Sequence, residues 1–292
     1  MTTLMLVDNG SRRADATLAL RRLSTELGDR LGVPVHPVSL LHSSSVPAEA
    51  LGGRPADTLE PFLLRQAAAG QTAFMAVPLF FGPSRALSKL IPETVARVSD
   101  GGPTLQVHVA NELCPLPAGE PRLATILDRS IRRAMARLSP RAGQRLAPHA
   151  LLVDHGSPIP EVTAVRRWLT ARLGTLANGD YRIGEAAMER RPGPDYAFNG
   201  RLLEEALTAI GETEPEAQIV IGMQFIGPGR HAGKGGDVAS ICEQARRQFP
   251  GLEISLSRLV GDDSGLIDIL ADRAHQALQD TSGASIPQFA CV

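Results

Sequence analysis

Cysteine is scarce in this chain, and the few residues present are badly placed for cross-linking. Cys114, Cys242 and Cys291 are odd in number and far apart in a sequence of 292 residues. That spacing excludes a disulfide framework and the paired pattern of a structural zinc site, and it fits a reducing compartment. Cys291, beside the terminus, reads as an ordinary tail residue. An excess of either charge is also missing: thirty basic residues face thirty-one acidic ones. Bulk electrostatics therefore favour neither nucleic acid nor an anionic membrane, and any anion binding must be local. No apolar run reaches the roughly 20 residues needed to span a bilayer. The segment Met1 to Asp8 has no basic stretch followed by a long apolar core, so a cytoplasmic protein without a membrane partner is expected. What the chain does have is 43% hydrophobic residues, enough for a sizeable core.

Those apolar residues alternate between two periods. Leu4 to Val7 is a short run ending in Asp8-Asn9-Gly10-Ser11, followed by Ala16, Leu20, Leu23 and Leu27 at helical spacing. Runs at Val33–Leu41, Ala73–Phe81 and Leu105–Val109 repeat the pattern, with helical stretches near Thr58–Ala69 and Leu123–Leu138. Strands alternating with helices predict a parallel sheet covered on both faces.

The pattern then restarts. Leu151-Leu152-Val153-Asp154-His155-Gly156-Ser157 repeats Met5-Leu6-Val7-Asp8-Asn9-Gly10-Ser11 at an offset of 146 residues. Phe225 to His231 repeats Phe80 to Ala86 at 145, and Asp272-Arg273 repeats Asp128-Arg129 at 144. Three anchors at nearly constant offset predict two homologous α/β units, 1–138 and 150–292, joined by the basic linker 139–149. A weaker correspondence sets Ala187-Met188-Glu189 against Leu40-Leu41-His42.

The copies differ where chemistry would reside. His155 replaces Asn9, and His231 replaces Ala86. Loops at the carboxyl ends of parallel strands share one edge of the sheet, so His155, Glu189 and His231 are expected to converge there. Two imidazoles and a carboxylate can bind a divalent metal while leaving positions open, and can accept protons. Arg190, Arg191, Arg230 and Lys234 lie in two of the same loops and suit carboxylate recognition. The run Gly233 to Gly236 could instead cradle a phosphate, though it matches neither nucleotide fingerprint. Ser11 and Ser157, each before a helix, fit N-caps.

Three segments together resemble a known family: a strand ending in Asp154-His155-Gly156-Ser157; Ala187-Met188-Glu189-Arg190-Arg191 continuing to Asn199-Gly200; and Pro228-Gly229-Arg230-His231-Ala232-Gly233 continuing to Asp237. They are similar to the CbiX-like sirohydrochlorin chelatases, class II tetrapyrrole chelatases whose long forms fuse two units. The resemblance implies an α/β fold of two tandem Rossmann-like units, each a mainly parallel four-stranded sheet flanked by helices, facing across a central cleft. It implies insertion of Co²⁺ or Fe²⁺, with Ni²⁺ as a third candidate, into sirohydrochlorin or a related polycarboxylate tetrapyrrole. His155, His231 and Glu189 would handle the metal. Arg190, Arg191, Arg230, Lys234 and Ser157, with Arg85 and His42 from the first unit, would contact the substrate. No organic cofactor, ATP or iron-sulfur cluster is expected, and Ser285 to Val292 lacks a metal-storage tail. The N-terminal unit would have a degenerate metal site. A monomer would suffice to form the cleft, with further association open. The alternatives are a non-catalytic metal or tetrapyrrole carrier and a phosphate- or nucleotide-binding α/β enzyme.

Overall fold

A computed structural model describes residues 2–140 and 147–283. Part of the linker, Cys291 and the Ser285–Val292 segment lie outside the described residues. Cys114 and Cys242 are buried, and no helix among the described residues is long and apolar enough to cross a membrane.

The first half runs β1 (Thr3–Asp8), α1 (Ala14–Leu31), β2 (Val35–Ser39), α2 (Leu59–Ala68), β3 (Ala73–Pro78), α3 (Ile91–Ser99), β4 (Gln106–Val109) and α4 (Pro121–Met135). The second runs β5 (His149–Asp154), α5 (Pro160–Ala177), β6 (Arg182–Ala187), α6 (Leu203–Thr213), β7 (Gln218–Met223), α7 (Asp237–Gln248), β8 (Glu253–Leu256) and α8 (Gly265–Gly283). Each half builds a four-stranded sheet, β2-β1-β3-β4 and β6-β5-β7-β8, and every pairing is parallel. The central strands are continuous apolar runs because both faces are covered: β7 is buried along its whole length. One core gathers Met5, Val7, Phe62, Leu63 and Phe74. The other gathers Val153, Leu207, Ile219, Ile221, Val238 and Cys242.

The compact units do not follow the sequence repeat at its ends. One consists of Met1–Leu113 with the segment from Ile267 onward, and the other of Cys114–Leu266. The expected division at 138 and 150 thus separates the repeats but not the packed bodies, because each repeat's last helix joins the other sheet. In the second unit Ile131 of α4 lies against Gly222 of β7, where an added Cβ would come within 3.1 Å of its side chain. Tyr181 donates to Asp128 at 2.8 Å, and Arg129 donates twice to Asp263, at 2.9 and 2.7 Å. In the first unit Arg273 of α8 donates to the carbonyls of Glu112 and Leu113, and Arg30 meets Asp268 at 3.0 Å. The repeated Asp-Arg pair is therefore carried on the two exchanged helices.

Candidate metal-handling site

All three metal-handling residues expected from the sequence lie in the second unit, on loops leaving the carboxyl ends of β5, β6 and β7. The turn after β5 is fixed from below. Asp154 is buried and accepts from the Gly156 amide at 3.0 Å. It also pairs with Arg166, whose side chain is fully buried and donates on to the Asn199 carbonyl. Burial raises the Asp154 pKa, and the Arg166 guanidinium opposes that rise. Asn199, also fully buried, accepts from the Ser157 amide at 3.0 Å and donates to the Ser157 carbonyl at 2.8 Å. The Ser157 hydroxyl in turn accepts from the Ile159 amide. Ser157 is thus tied into the turn that starts α5.

Gly156 makes the approach of the next loop possible. Its φ is +87°, and a Cβ there would lie 1.8 Å from the Glu189 carbonyl oxygen, so only glycine fits. The Glu189 amide donates to the His155 carbonyl at 3.0 Å. This backbone clasp carries the Glu189 carboxylate to His155, with Nε2 and Oε1 3.2 Å apart.

The loop after β7 is a closed ring of backbone contacts. Gly233 donates to the Gly229 carbonyl, Gly236 to Gly233, Asp237 to Arg230 and Val238 to His231. A Cβ on Gly236 would meet three carbonyl oxygens within 2.9 Å. The glycines therefore serve the loop's own compaction. Two of their amides, Gly233 and Gly236, are spent internally, which removes support from the phosphate-cradle alternative.

Both imidazoles present the same edge. His155 Nδ1 lies 2.9 Å from the Gly156 carbonyl, and His231 Nδ1 lies 2.7 Å from Asp237 Oδ2. Each partner can only accept, so each Nδ1 carries a hydrogen and each neutral ring keeps its lone pair on Nε2. A lone pair and a carboxylate oxygen 3.2 Å apart repel unless a cation or proton lies between them. The two rings stand edge to face with centroids 4.5 Å apart, which brings His231 into the pair. Among the described residues, no three His, Cys, Asp or Glu are grouped so that they could hold a metal ion as they stand; the close contacts are the His155–Glu189 pair and the two stacked rings.

The expected cations divide into committed and available groups. Arg190 donates to the Gly200 carbonyl and to Glu205, at 3.0 Å for the latter. Arg191 stacks over Tyr196, its guanidinium carbon 5.7 Å from the ring centroid. Both line a cavity of about 390 Å³ with Pro192, Gly193, Ala197 and Leu202. Arg230 and Lys234 are exposed. In the first unit, Arg85 and His42 are exposed on the loops after β3 and β2, and His42 holds a positive φ of 65°.

The register between the repeats corrects one correspondence. Asp8 pairs with Ser39 and Asp154 with Ala187. Leu41 donates to the Asn9 carbonyl as Glu189 does to that of His155. The counterpart of Glu189 is therefore Leu41, not His42. The sequence match slipped by one residue because β2 and β6 share little beyond their ends. Asp237 was not among the expected site residues. Its signal was the carboxylate closing the His231 loop six residues on, at the first position of α7.

The CbiX family model matches residues 149–277. This chain carries a CbiX-family domain. The match falls on the second sequence repeat and includes His155, Glu189 and His231. In backbone structure the chain is similar to SirB of Bacillus subtilis with Fe³⁺, at 15% identity and a TM-score of 0.67, over 97% of this chain and 98% of that one. It is similar to the sirohydrochlorin chelatase SirB of Bacillus subtilis subspecies spizizenii in complex with cobalt, at 14% identity and a TM-score of 0.64, over 97% and 98%. A third likeness is to CbiX, the terminal enzyme for biosynthesis of siroheme in denitrifying bacteria, at 15% identity and a TM-score of 0.55, over 95% and 99%. At these identities the structural likeness is one of fold: two tandem parallel α/β units like those of the chelatases. No curated protein matches the chain by sequence.

Proposed function

We propose that this protein inserts a divalent metal ion, Co²⁺ or Fe²⁺, into sirohydrochlorin or a closely related polycarboxylate tetrapyrrole, and that the CbiX-family domain performs the reaction. The observation that carries this reading is the opposition of His155 Nε2 and Glu189 Oε1 at 3.2 Å, with His231 packed edge to face on the same imidazole. The domain match over residues 149–277 supports it, as do the fold likenesses to SirB proteins with iron and cobalt.

In this reading the metal is a substrate held by His155, Glu189 and His231. The ion must be able to leave, and a closed four-ligand cage would retain it. Two pyrrole N–H protons are released for each M²⁺ inserted. As the metal passes to the macrocycle, the vacated Nε2 atoms and the Glu189 carboxylate receive them. Arg191, propped on Tyr196 at the edge of the 390 Å³ cavity, binds a peripheral carboxylate of the substrate, with Arg230 and Lys234 contributing charge from the neighbouring loop. Arg190 shapes that wall through its bonds to Gly200 and Glu205. No organic cofactor or ATP takes part, and the reaction is cytoplasmic.

Incubating the protein with sirohydrochlorin and Co²⁺, Fe²⁺ or Ni²⁺, and following the macrocycle's absorption spectrum, tests the proposal. Catalytic conversion to the metallated spectrum, lost in His155→Ala and His231→Ala with the fold retained, is expected. Stoichiometric binding without turnover would instead make the protein a carrier, and near-normal turnover in both variants would remove the site assignment.

A further inference from the structure

We infer that Asp237 is the positioning residue for His231, fixing the imidazole in the tautomer that leaves Nε2 free to hold the metal; this rests on the reading of His231 as a metal ligand. Asp237 is the first residue of α7, where a carboxylate is ordinarily explained by the helix N-terminus. Here the N-cap position is Gly236, which has no side chain, and the hydrogen bond of the Asp237 carboxylate is with the His231 ring. Its Oδ2 instead meets His231 Nδ1 at 2.7 Å and Arg230 Nε at 3.5 Å. The arginine side chain is 81% exposed and imposes little restraint. The imidazole contact is the short, directional one.

Two further observations make the contact specific. The backbone bonds from Asp237 to Arg230 and from Val238 to His231 hold the start of α7 against the residues that carry the ring, so the carboxylate is pre-set rather than recruited. The first repeat, at the same offset of 145 that aligns Ala86 with His231, has Pro92 where the second has Asp237. Imidazole and carboxylate are thus both absent from the copy without a metal-handling trio. A carboxylate behind a ligating imidazole raises the basicity of the opposite nitrogen and restrains the ring, and losing such a partner typically weakens metal binding ten- to a hundredfold. His155 differs in kind, because its Nδ1 hydrogen goes to a neutral backbone carbonyl. The site therefore has one imidazole backed by a charge and one backed by a dipole, and the charged one is the stronger donor.

The test uses the full-length, metal-free protein, with CoCl₂ as probe. Long-range ¹H–¹⁵N correlation at a pH where the imidazoles are neutral reads the His231 tautomer, and visible absorption during CoCl₂ titration reads affinity. Wild type is expected to show His231 with hydrogen on Nδ1. Asp237→Ala is expected to shift it to the Nε2–H form and raise the Co²⁺ dissociation constant ten- to a hundredfold. Asp237→Asn, whose amide oxygen still accepts from Nδ1, is expected to fall between them, with an unchanged unfolding midpoint. An unaltered tautomer in Asp237→Ala, or Co²⁺ affinity within twofold of wild type while His231→Ala abolishes binding, overturns the inference. If His155→Ala and His231→Ala bind Co²⁺ as wild type does, the metal-site reading itself fails, while the tautomer measurement still decides the Asp237 contact.

Discussion

The Arg166 guanidinium, without exposed side-chain surface, pairs with Asp154 directly beneath His155, whereas in the first repeat Leu20 occupies the matching position beneath Asp8. One substitution between otherwise parallel copies changes the state of a carboxylate. In the second unit the charge is compensated and the turn carrying His155 is braced through Asn199. In the first, Asp8 has no such guanidinium beside it, and burial pushes its pKa up to about 6 against opposing hydrogen bonds from Ser39 and Gly10; each carboxylate keeps one buried oxygen with no hydrogen-bond partner.

Replacing Arg166 with leucine should be costly. It leaves Asp154 buried without its counter-charge, and removing one partner of a buried pair typically costs about 3 to 5 kcal/mol. Urea unfolding of Arg166→Leu should show that loss, and Arg166→Leu with Asp154→Asn should recover part of it. Equal stability of the single and double variants would mean that the charge itself is unimportant.

Asp8 gives stability a defined pH dependence. Its folded pKa, about 6, exceeds the unfolded value near 4, so the native state binds more protons between these limits. Its contribution is therefore full below about pH 4, declines as pH rises to 6 and is flat above. The span corresponds to up to about 3 kcal/mol. Asp8→Asn should remove this slope and raise stability at pH 7 by up to that amount, measured by urea denaturation across pH 4 to 8.

The two strand-end glycines separate folding from function. A Cβ at Gly10 would meet the Leu41 carbonyl oxygen at 1.7 Å, and one at Gly156 the Glu189 carbonyl oxygen at 1.8 Å, both at positive φ. Each Gly→Ala change should destabilise by about 1 to 3 kcal/mol or displace the facing loop. Only Gly156→Ala should also reduce Co²⁺ binding, because only there does the displaced loop carry a residue proposed as a ligand, Glu189. CoCl₂ titration of both variants checks the contrast.

Removing α8 should injure the first unit. Ending the chain after Ser264 deletes Arg273 with its bonds to Glu112 and Leu113, while Arg129 and Asp263 of the second unit are retained. Hydrogen exchange should show lost protection in β1 to β4 and persistent protection in β5 to β8. The opposite pattern would contradict the exchange of helices.

Much of this was legible in the chain. The strands β1, β3, β5 and β7 stand out as apolar runs closed by polar turns. His155 and His231 stand out because Asn9 and Ala86 replace them in an otherwise matching frame. Less accessible was anything that depends on partners distant in sequence. The Asp128-Arg129 and Asp272-Arg273 match marks two equivalent helices, but similarity cannot say which sheet each helix covers. Arg190 reads as a free cation until Gly200 and Glu205 are found holding it. The slip between Leu41 and His42 arose where β2 and β6 diverge, and only the backbone bond to Asn9 fixes that register.

The exchanged helices also order events during synthesis. The second unit begins at Cys114 and is complete once Leu266 has been added, so all its parts leave the ribosome as one uninterrupted stretch. The first unit, although its strands are made earliest, must wait for the segment from Ile267 onward to supply its final helix. The sheet translated first is thus the one finished last.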